Sequence, residues 1–177
     1  LPDKLLRWGM RRLLARRLRE EEARYADEGS LDHFITELRS APVALHTDAA
    51  NEQHYELPPA FFTRVLGPWL KYSCCLWPEG TESLREAEEA MLQLTCSRAD
   101  FANGMDILEL GCGWGALTLW MAEHFPRSRI TAVSNSAPQR EFIEQRARER
   151  NLDNLQVITA DMNDFQAPGT YDRIVSL

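Results

Sequence analysis

The sequence lacks several features that would assign it to a common class of protein. It has no run of about 18 apolar residues, so no segment is predicted to span a membrane, and no apolar leader opens the chain. Excess positive charge is also missing, since 20 Lys and Arg face 27 Asp and Glu and the sequence pI is about 5.2. Nucleic-acid-binding proteins carry the opposite balance. These absences predict a cytoplasmic protein with no nucleic-acid partner.

Cysteine is sparse as well. The four cysteines are Cys74, Cys75, Cys96 and Cys112, and their spacing gives neither the density of a disulfide scaffold nor the C-x-x-C pairs of a zinc site. We therefore expect reduced thiols and no bound metal.

Residues 1–45 are predicted to form a helical arm. Residues 4–24 have the spacing of a basic amphipathic helix, and residues 30–40 form a second helix with Ser30 as N-cap and Pro42 just beyond its end. The first helix could make a peripheral contact with an anionic membrane, or pack on its own protein or on a partner subunit, as in a homodimer. Packing is favoured because the acidic stretch REEEARYADEGS follows.

Residues 46–100 are predicted to form a helical cap over an active site. Prolines at 58, 59, 68 and 78 break an aromatic-rich stretch into short helices and turns. Helical spacing of apolar residues then resumes over residues 81–99.

Residues 101–177 alternate between strand and helix patterns. The predicted strands are 105–110, 129–134, 155–160 and 171–177, and the predicted helices between the first three are 115–125 and 137–151. Strands separated by helices of this length indicate an α/β fold with a Rossmann-like, doubly wound parallel sheet. Because the chain starts at Leu1 and stops within the fourth strand, we expect a domain truncated after that strand, with its sheet incomplete at the C-terminus.

The stretch ILELGCGWG runs from the first predicted strand into three glycines spaced two apart. Such a turn lets backbone N–H groups approach a ligand closely. The spacing is not the GxGxxG of a dinucleotide site, and no P-loop lysine follows. Glu109, just before the turn, would repel a phosphate. It suits a cationic ligand without phosphate, such as S-adenosylmethionine, which has an ammonium and a sulfonium group.

Five motifs occur in a characteristic order, namely NEQHYELPPAFF, LKYSCC, LELGCGWG, VSNSAPQREFI and ITADMNDF. Together they resemble class I S-adenosylmethionine-dependent methyltransferases of the cyclopropane fatty acid synthase family. Within it the likeness is greatest to the branch containing the coclaurine N-methyltransferases. The resemblance implies S-adenosylmethionine as the cofactor.

The resemblance also implies cofactor contacts at the ends of three strands. The second strand ends in Ser-Asn where most class I methyltransferases have an acid, and asparagine can donate to and accept from a ribose diol. The implied contacts are Glu109, Gly111 and Gly113 for the methionine part, Asn135 and Gln139 for the ribose, and Asp161 and Met162 for the adenine.

The cap motifs imply further roles. Tyr72 and Ser73 would close over the methionine end, where an aromatic ring gains from a nearby sulfonium. Cys74 matches a cysteine that lines a bicarbonate site in cyclopropane-forming members, and is the candidate catalytic residue within the chain. His54 and Tyr55 lie in a motif that borders the reaction centre in the family.

The sequence therefore predicts a methyltransferase that acts on a small-molecule methyl acceptor, with an amine N-methyltransferase favoured. The resemblance places a Glu and a His of the reaction centre after Leu177. Two alternatives stay open. One is a cyclopropane-fatty-acyl-phospholipid synthase, supported by the basic first helix and Cys74. The other is a non-catalytic cofactor-binding module.

Overall fold

The computed structural model describes residues 2–26, 29–45 and 58–177. The chain divides into two units, Leu1–Val43 and Ala44–Leu177. Within the described ranges, no helix is both long enough and apolar enough to cross a bilayer.

Two helices form the first unit, α1 (Asp3–Arg24) and α2 (Ser30–Ser40). Neither helix has a buried residue. Helix α1 has exposed i,i+4 ion pairs, such as Arg16 Nε to Glu20 Oε1 at 2.7 Å, and pairs of this kind contribute a few tenths of a kcal/mol each. The apolar side chains of α1 remain exposed, with Leu13 at 68% and Leu14 at 66%.

The predicted N-cap of α2 is wrong by one residue. Gly29 is the N-cap, and its carbonyl accepts from His33 N at 3.0 Å. Ser30 is therefore already helical, and its hydroxyl donates back to the Tyr25 carbonyl at 3.4 Å. The helix ends before Pro42, as predicted, with Ala41 in extended geometry.

Within its described residues, the second unit contains a four-stranded sheet and four helices. The strands are β1 (Asp106–Leu110), β2 (Arg129–Ser134), β3 (Leu155–Thr159) and β4 (Arg173–Val175). The helices are α3 (Pro59–Val65), α4 (Leu84–Arg98), α5 (Ala116–His124) and α6 (Ala137–Glu149).

All strand pairs are parallel, in the order β3-β2-β1-β4. Strand β1 lies between β2 and β4, so Glu109 is in register with both Ala132 and Val175. Parallel strands place their carboxyl ends at one edge, which is where ligands bind in such sheets. The predicted α/β class and parallel sheet are confirmed.

Helix α5 is the most deeply buried helix of the described part of the chain. Its residues from Ala116 to Ala122 are all buried, with Met121 at 0% exposure. A helix that is apolar on all sides packs inside the core. The start of this helix, which follows the glycine turn, is therefore held firmly against the sheet.

Helix α4 begins with a capping box that the sequence prediction did not identify. Ser83 Oγ accepts from Glu86 N at 3.3 Å, and Glu86 Oε2 accepts from Ser83 N at 3.0 Å. This pair of hydrogen bonds fixes the first turn of α4 and marks where the chain between α3 and α4 ends.

Replacing Ser83 by alanine is expected to lower the free energy of unfolding by about 0.5–2 kcal/mol, because a helix amide loses its acceptor. Ser97→Ala, at an exposed position near the end of the same helix, is the control and should change stability by less than about 0.5 kcal/mol. Urea denaturation measures both. Equal effects of the two substitutions would contradict the role of the cap.

Candidate functional site

The turn between β1 and α5 is built from left-handed glycines. Gly111, Gly113 and Gly115 have φ values of 75°, 54° and 81°. A Cβ at Gly115 would lie 2.6 Å from Ile143 Cγ1, so this glycine lets α5 pack against α6. At Gly111 and Gly113 an added Cβ would meet no atom of the described residues within 4 Å. Among those residues, the two glycines leave room for a ligand beside the turn.

Glu109 lies in β1 directly behind this turn. It is 2% exposed, and Thr118 Oγ1 donates to its Oε2 at 2.5 Å. Burial raises the pKa of Glu109 to about 8, and the Thr118 hydrogen bond opposes that rise. A buried acid with one hydrogen-bond donor gains strongly from a cation placed beside it.

One pocket brings the turn, the strand acid and the cap together. Five of the predicted site residues line it, namely Tyr72, Ser73, Glu109, Gly111 and Gly113. Cys74 follows Ser73 directly but is exposed and is not among the described residues that line this pocket. Its predicted catalytic role stays a prediction.

A second cluster follows β2. Ser134 Oγ donates to Gln139 Oε1 at 2.6 Å and accepts from Ser136 N at 3.0 Å. Gln139 is 2% exposed, and its Nε2 has no hydrogen-bond partner among the described residues. Buried amide nitrogens are nearly always paired, so a partner for this donor lies outside the described residues. The predicted ribose contact of Gln139 stays a prediction. Asn135, the other predicted ribose contact, lies between Ser134 and Ser136.

The end of β3 lies next to the end of β2. Ala160 N donates to the Ser134 carbonyl at 2.9 Å, which extends the pairing of the two strands. Asp161 and Met162 follow and are half-buried. Asp161 Oδ1 accepts from Asn163 N at 2.7 Å, so the predicted adenine contact also shapes its own turn.

The chain between α3 and α4 is fixed to α4 by the buried carboxylate of Glu88. Glu88 is 0% exposed, its Oε2 accepts from Trp69 N at 3.1 Å, and its Oε1 accepts from Lys71 N at 3.2 Å. A Cβ at Gly67 would lie 2.3 Å from Glu88 Oε2. Glycine is therefore required there for the segment to approach the carboxylate, and the anchored segment leads directly into Tyr72 and Ser73.

His54 and Tyr55 lie outside the described residues. Within the described part, no group of three or more His, Cys, Asp or Glu side chains could hold a metal ion.

The family model for mycolic acid cyclopropane synthetase matches residues 45–177. The chain belongs to this family. A coclaurine N-methyltransferase from Thalictrum flavum subsp. glaucum is 41% identical over 177 residues, which cover 99% of this chain and 49% of the relative. A cyclopropane-fatty-acyl-phospholipid synthase from Escherichia coli K12 is 33% identical over 126 residues, which cover 71% of this chain and 31% of that protein. The predicted membership of the cyclopropane synthase family is confirmed.

Solved structures agree with the family assignment. A coclaurine N-methyltransferase bound to N-methylheliamine and SAH matches with a TM-score of 0.89 and 40% identity, over 99% of this chain and 51% of that chain. A mycolic acid cyclopropane synthase complexed with SAH and CTAB matches with a TM-score of 0.65 and 30% identity. The match covers 76% of this chain and 46% of that chain. This member of the cyclopropane synthetase family thus spans about half the length of the relatives it matches.

Sequence reasoning did not identify Glu88, which holds the segment that leads into the pocket residues Tyr72 and Ser73 of this family member. A signal was available, because Glu88 stands four residues after Leu84 and four before Leu92, within an apolar helical stripe. A carboxylate on such a stripe needs buried donors. The sequence does not say that those donors are the backbone amides of the cap.

Proposed function

We propose that this protein is an S-adenosylmethionine-dependent methyltransferase that transfers a methyl group to a small-molecule amine. The carrying observation is the buried acid Glu109 behind a glycine turn that leaves open space. The relatives at 41% and 39% identity are N-methyltransferases, which supports the amine as acceptor.

The described residues fit this cofactor. Glu109 lines the pocket and would offer a carboxylate to its ammonium group. Gln139 Nε2, which has no partner among the described residues, would offer a donor to a ribose oxygen. Asp161 and Met162 present a polar and an apolar surface at the next strand end, as an adenine base requires. Tyr72 is 54% exposed at the pocket, so its ring is available to a sulfonium.

The cofactor supplies an electrophilic methyl group on sulfur when it is bound. The residues of the chain would hold and orient it, so that a neutral amine could accept the methyl group while S-adenosylhomocysteine leaves. Phe62 packs edge-to-face on Tyr72, with 5.8 Å between the ring centroids. The side of the pocket formed by Tyr72 is therefore aromatic. An aromatic wall of this kind suits an acceptor that is partly apolar.

The proposal is tested by calorimetry with S-adenosylhomocysteine and by transfer of labelled methyl to coclaurine and other secondary amines. Binding together with labelled tertiary amine is the expected result. No binding at millimolar ligand would overturn the cofactor assignment. Binding without transfer to any amine would overturn the amine as acceptor, and would leave the lipid enzyme and the non-catalytic module as the remaining candidates.

A second candidate, cyclopropane formation on membrane lipid, is favoured by α1. Its exposed leucines accompany arginines such as Arg12 and Arg16, whose charge would attract an anionic bilayer. The predicted amphipathic character of α1 is wrong, however, because arginines lie among its leucines and the helix has no separate apolar face. Co-sedimentation with phosphatidylglycerol vesicles separates the two functions. A lipid enzyme must sediment with the vesicles, whereas the amine enzyme is expected to stay in the supernatant.

Replacing Gln139 by methionine is expected to weaken S-adenosylhomocysteine binding about tenfold, because the ribose loses a buried donor. Gln145→Met is the matched control on the same helix, since Gln145 is exposed and bonds to Glu149. Calorimetry on folded variants measures both affinities. Unchanged binding by the Gln139 variant would remove Gln139 from the ribose site.

A further inference from the structure

The four cysteines of the chain are of two kinds. Cys96 and Cys112 are buried, at 5% and 6% exposure, and burial raises the pKa of both thiols. The thiolate is the reactive form of cysteine, so neither buried thiol is expected to react readily. Cys74 is exposed, its neighbour Cys75 is half-buried, and both are free thiols. Two adjacent thiols therefore lie where an oxidant can reach them.

Lys71 places a positive charge beside this pair. It interacts electrostatically with Cys75 and with Cys74, so both thiols lie near the same cation. Burial and then Glu88 raise the pKa of Cys75, while Lys71 opposes that rise. The exposed Cys74 is therefore the thiol that an oxidant meets first, and Cys75 is the neighbour that can react next.

The backbone that carries the two thiols is held at both ends. Before the pair, Lys71 N donates to Glu88 Oε1 at 3.2 Å. After the pair, Leu76 N donates to the Ala87 carbonyl at 3.2 Å. Both acceptors belong to α4. Residues 72–75 lie between these two points and are neither helical nor in a strand. A conformational change at the thiols is therefore confined to this short segment.

A disulfide between adjacent cysteines requires such a change. Consecutive Cα atoms lie about 3.8 Å apart across a trans peptide, whereas disulfides usually join Cα atoms about 4.4–6.8 Å apart. A bond between Cys74 and Cys75 would therefore strain the backbone and be easily reduced. The same segment contains Tyr72 and Ser73, which line the pocket. Formation of the bond would shift these two side chains.

We propose that Cys74 and Cys75 are a redox-sensitive pair that a peroxide oxidises to a disulfide, and that this disulfide weakens cofactor binding. The effect on binding rests on the proposed function, whereas formation of the disulfide does not. A regulatory role of this kind is separate from the catalytic role predicted for Cys74.

The oxidation has two steps. The Cys74 thiolate attacks a peroxide oxygen and the O–O bond breaks, which gives a sulfenic acid and hydroxide. The Cys75 thiolate then attacks the sulfenic sulfur and displaces a second hydroxide as the S–S bond forms. The protons of the two thiols convert both hydroxides to water. The two sulfurs together lose two electrons, and the peroxide gains them.

Hydrogen peroxide is the probe that tests the pair. After a stoichiometric amount, mass spectrometry without reduction should show that the peptide containing Cys74 and Cys75 has lost two hydrogen atoms. Cys96 and Cys112 should keep their thiols and serve as internal controls. Calorimetry of the oxidised protein should show S-adenosylhomocysteine bound about tenfold more weakly, because two pocket side chains have moved. Dithiothreitol should restore both the mass and the affinity.

Cys75→Ser separates the disulfide from other forms of oxidation. This variant keeps Cys74 but cannot form the bond, so peroxide should leave a sulfenic acid that dimedone labels. Its affinity for S-adenosylhomocysteine, measured without dimedone, should stay within about twofold of the untreated variant. A loss of affinity equal to that of the wild-type protein would contradict the disulfide as the cause.

The wild-type protein decides the remaining points even if the variant does not fold. Absence of the disulfide after peroxide treatment contradicts the redox pair, and so does a covalent dimer joined through Cys74. A disulfide that leaves the affinity unchanged contradicts its effect on the pocket. Failure of the reduced protein to bind S-adenosylhomocysteine overturns the proposed function instead, while the mass still shows whether the pair forms.

Discussion

Replacing Glu109 by glutamine is expected to weaken S-adenosylhomocysteine binding by at least about 100-fold, because a buried cation loses its charged partner. It should also remove a pH dependence that wild-type protein shows. The pKa of Glu109 is raised to about 8 in the ligand-free protein. Below that pH the ammonium can pair with Glu109 only after the carboxyl group loses its proton.

Deprotonation of Glu109 should strengthen ligand binding. Wild-type affinity should rise by about tenfold per pH unit as the pH approaches 8, and then become constant. Calorimetry at pH 6, 7 and 8 measures this slope, and the glutamine variant should show none. Glu141→Gln, at an exposed position on α6, is the control and should keep the wild-type slope. A wild-type affinity that is flat over this range would contradict the assignment.

The free energy of unfolding of the ligand-free protein should fall as the pH rises, whereas the affinity for the ligand rises. The ordinary pKa of a glutamate is 4.5 and the folded value is about 8, so between these limits the folded protein keeps a proton that the unfolded chain has lost. The free energy of unfolding therefore falls as the pH rises through this window. Glu109→Gln should remove this part of the fall, which urea denaturation at several pH values can measure.

Gly67→Ala is expected to destabilise the protein by about 1–3 kcal/mol, as overpacking in a closed site does. The added Cβ would lie 2.3 Å from Glu88 Oε2 and 2.5 Å from Glu88 Cδ. Glu88→Ala should cost about 2–4 kcal/mol, because it leaves two buried amides without an acceptor. Urea denaturation of each variant measures these changes.

The double variant tests whether the two residues act on each other. Glu88→Ala removes the atoms that a methyl group introduced at position 67 would meet, so the double variant should lose about 1–2 kcal/mol less than the sum of the single losses. Gly169→Ala, where a Cβ meets nothing within 4 Å, is the control and should add independently to Glu88→Ala. Strict additivity for Gly67 and Glu88 would contradict the close contact.

The sheet could be predicted from the sequence because its signals are local. The strand predicted at residues 129–134 is Arg129–Ser134 in the structure, and the helix predicted at 137–151 is Ala137–Glu149. The glycine turn was also recognisable, since left-handed positions favour glycine whatever surrounds them. The convergence of the strand ends then follows from parallel pairing.

The helix N-caps and the contact between Glu88 and Trp69 could not be predicted to the same degree. Ser30 and Ser83 both precede helical patterns, yet one is inside its helix and the other caps it, because the choice depends on which carbonyl accepts the first helical bond. Glu88 meets Trp69 across 19 residues of chain. Contacts between residues this far apart in sequence depend on tertiary packing, which cannot be predicted from residue spacing.

Three left-handed residues within Gly111–Gly115 affect how fast and how tightly a ligand can bind. The amides of Gly111 and Cys112 both donate to the Val133 carbonyl at 3.0 Å, and Gly115 N donates to Cys112 O at 2.9 Å. The turn is thus ordered when the protein folds, so binding loses little backbone entropy there. A preorganised turn favours rapid association, and it increases affinity because little of the interaction energy is needed to order the backbone.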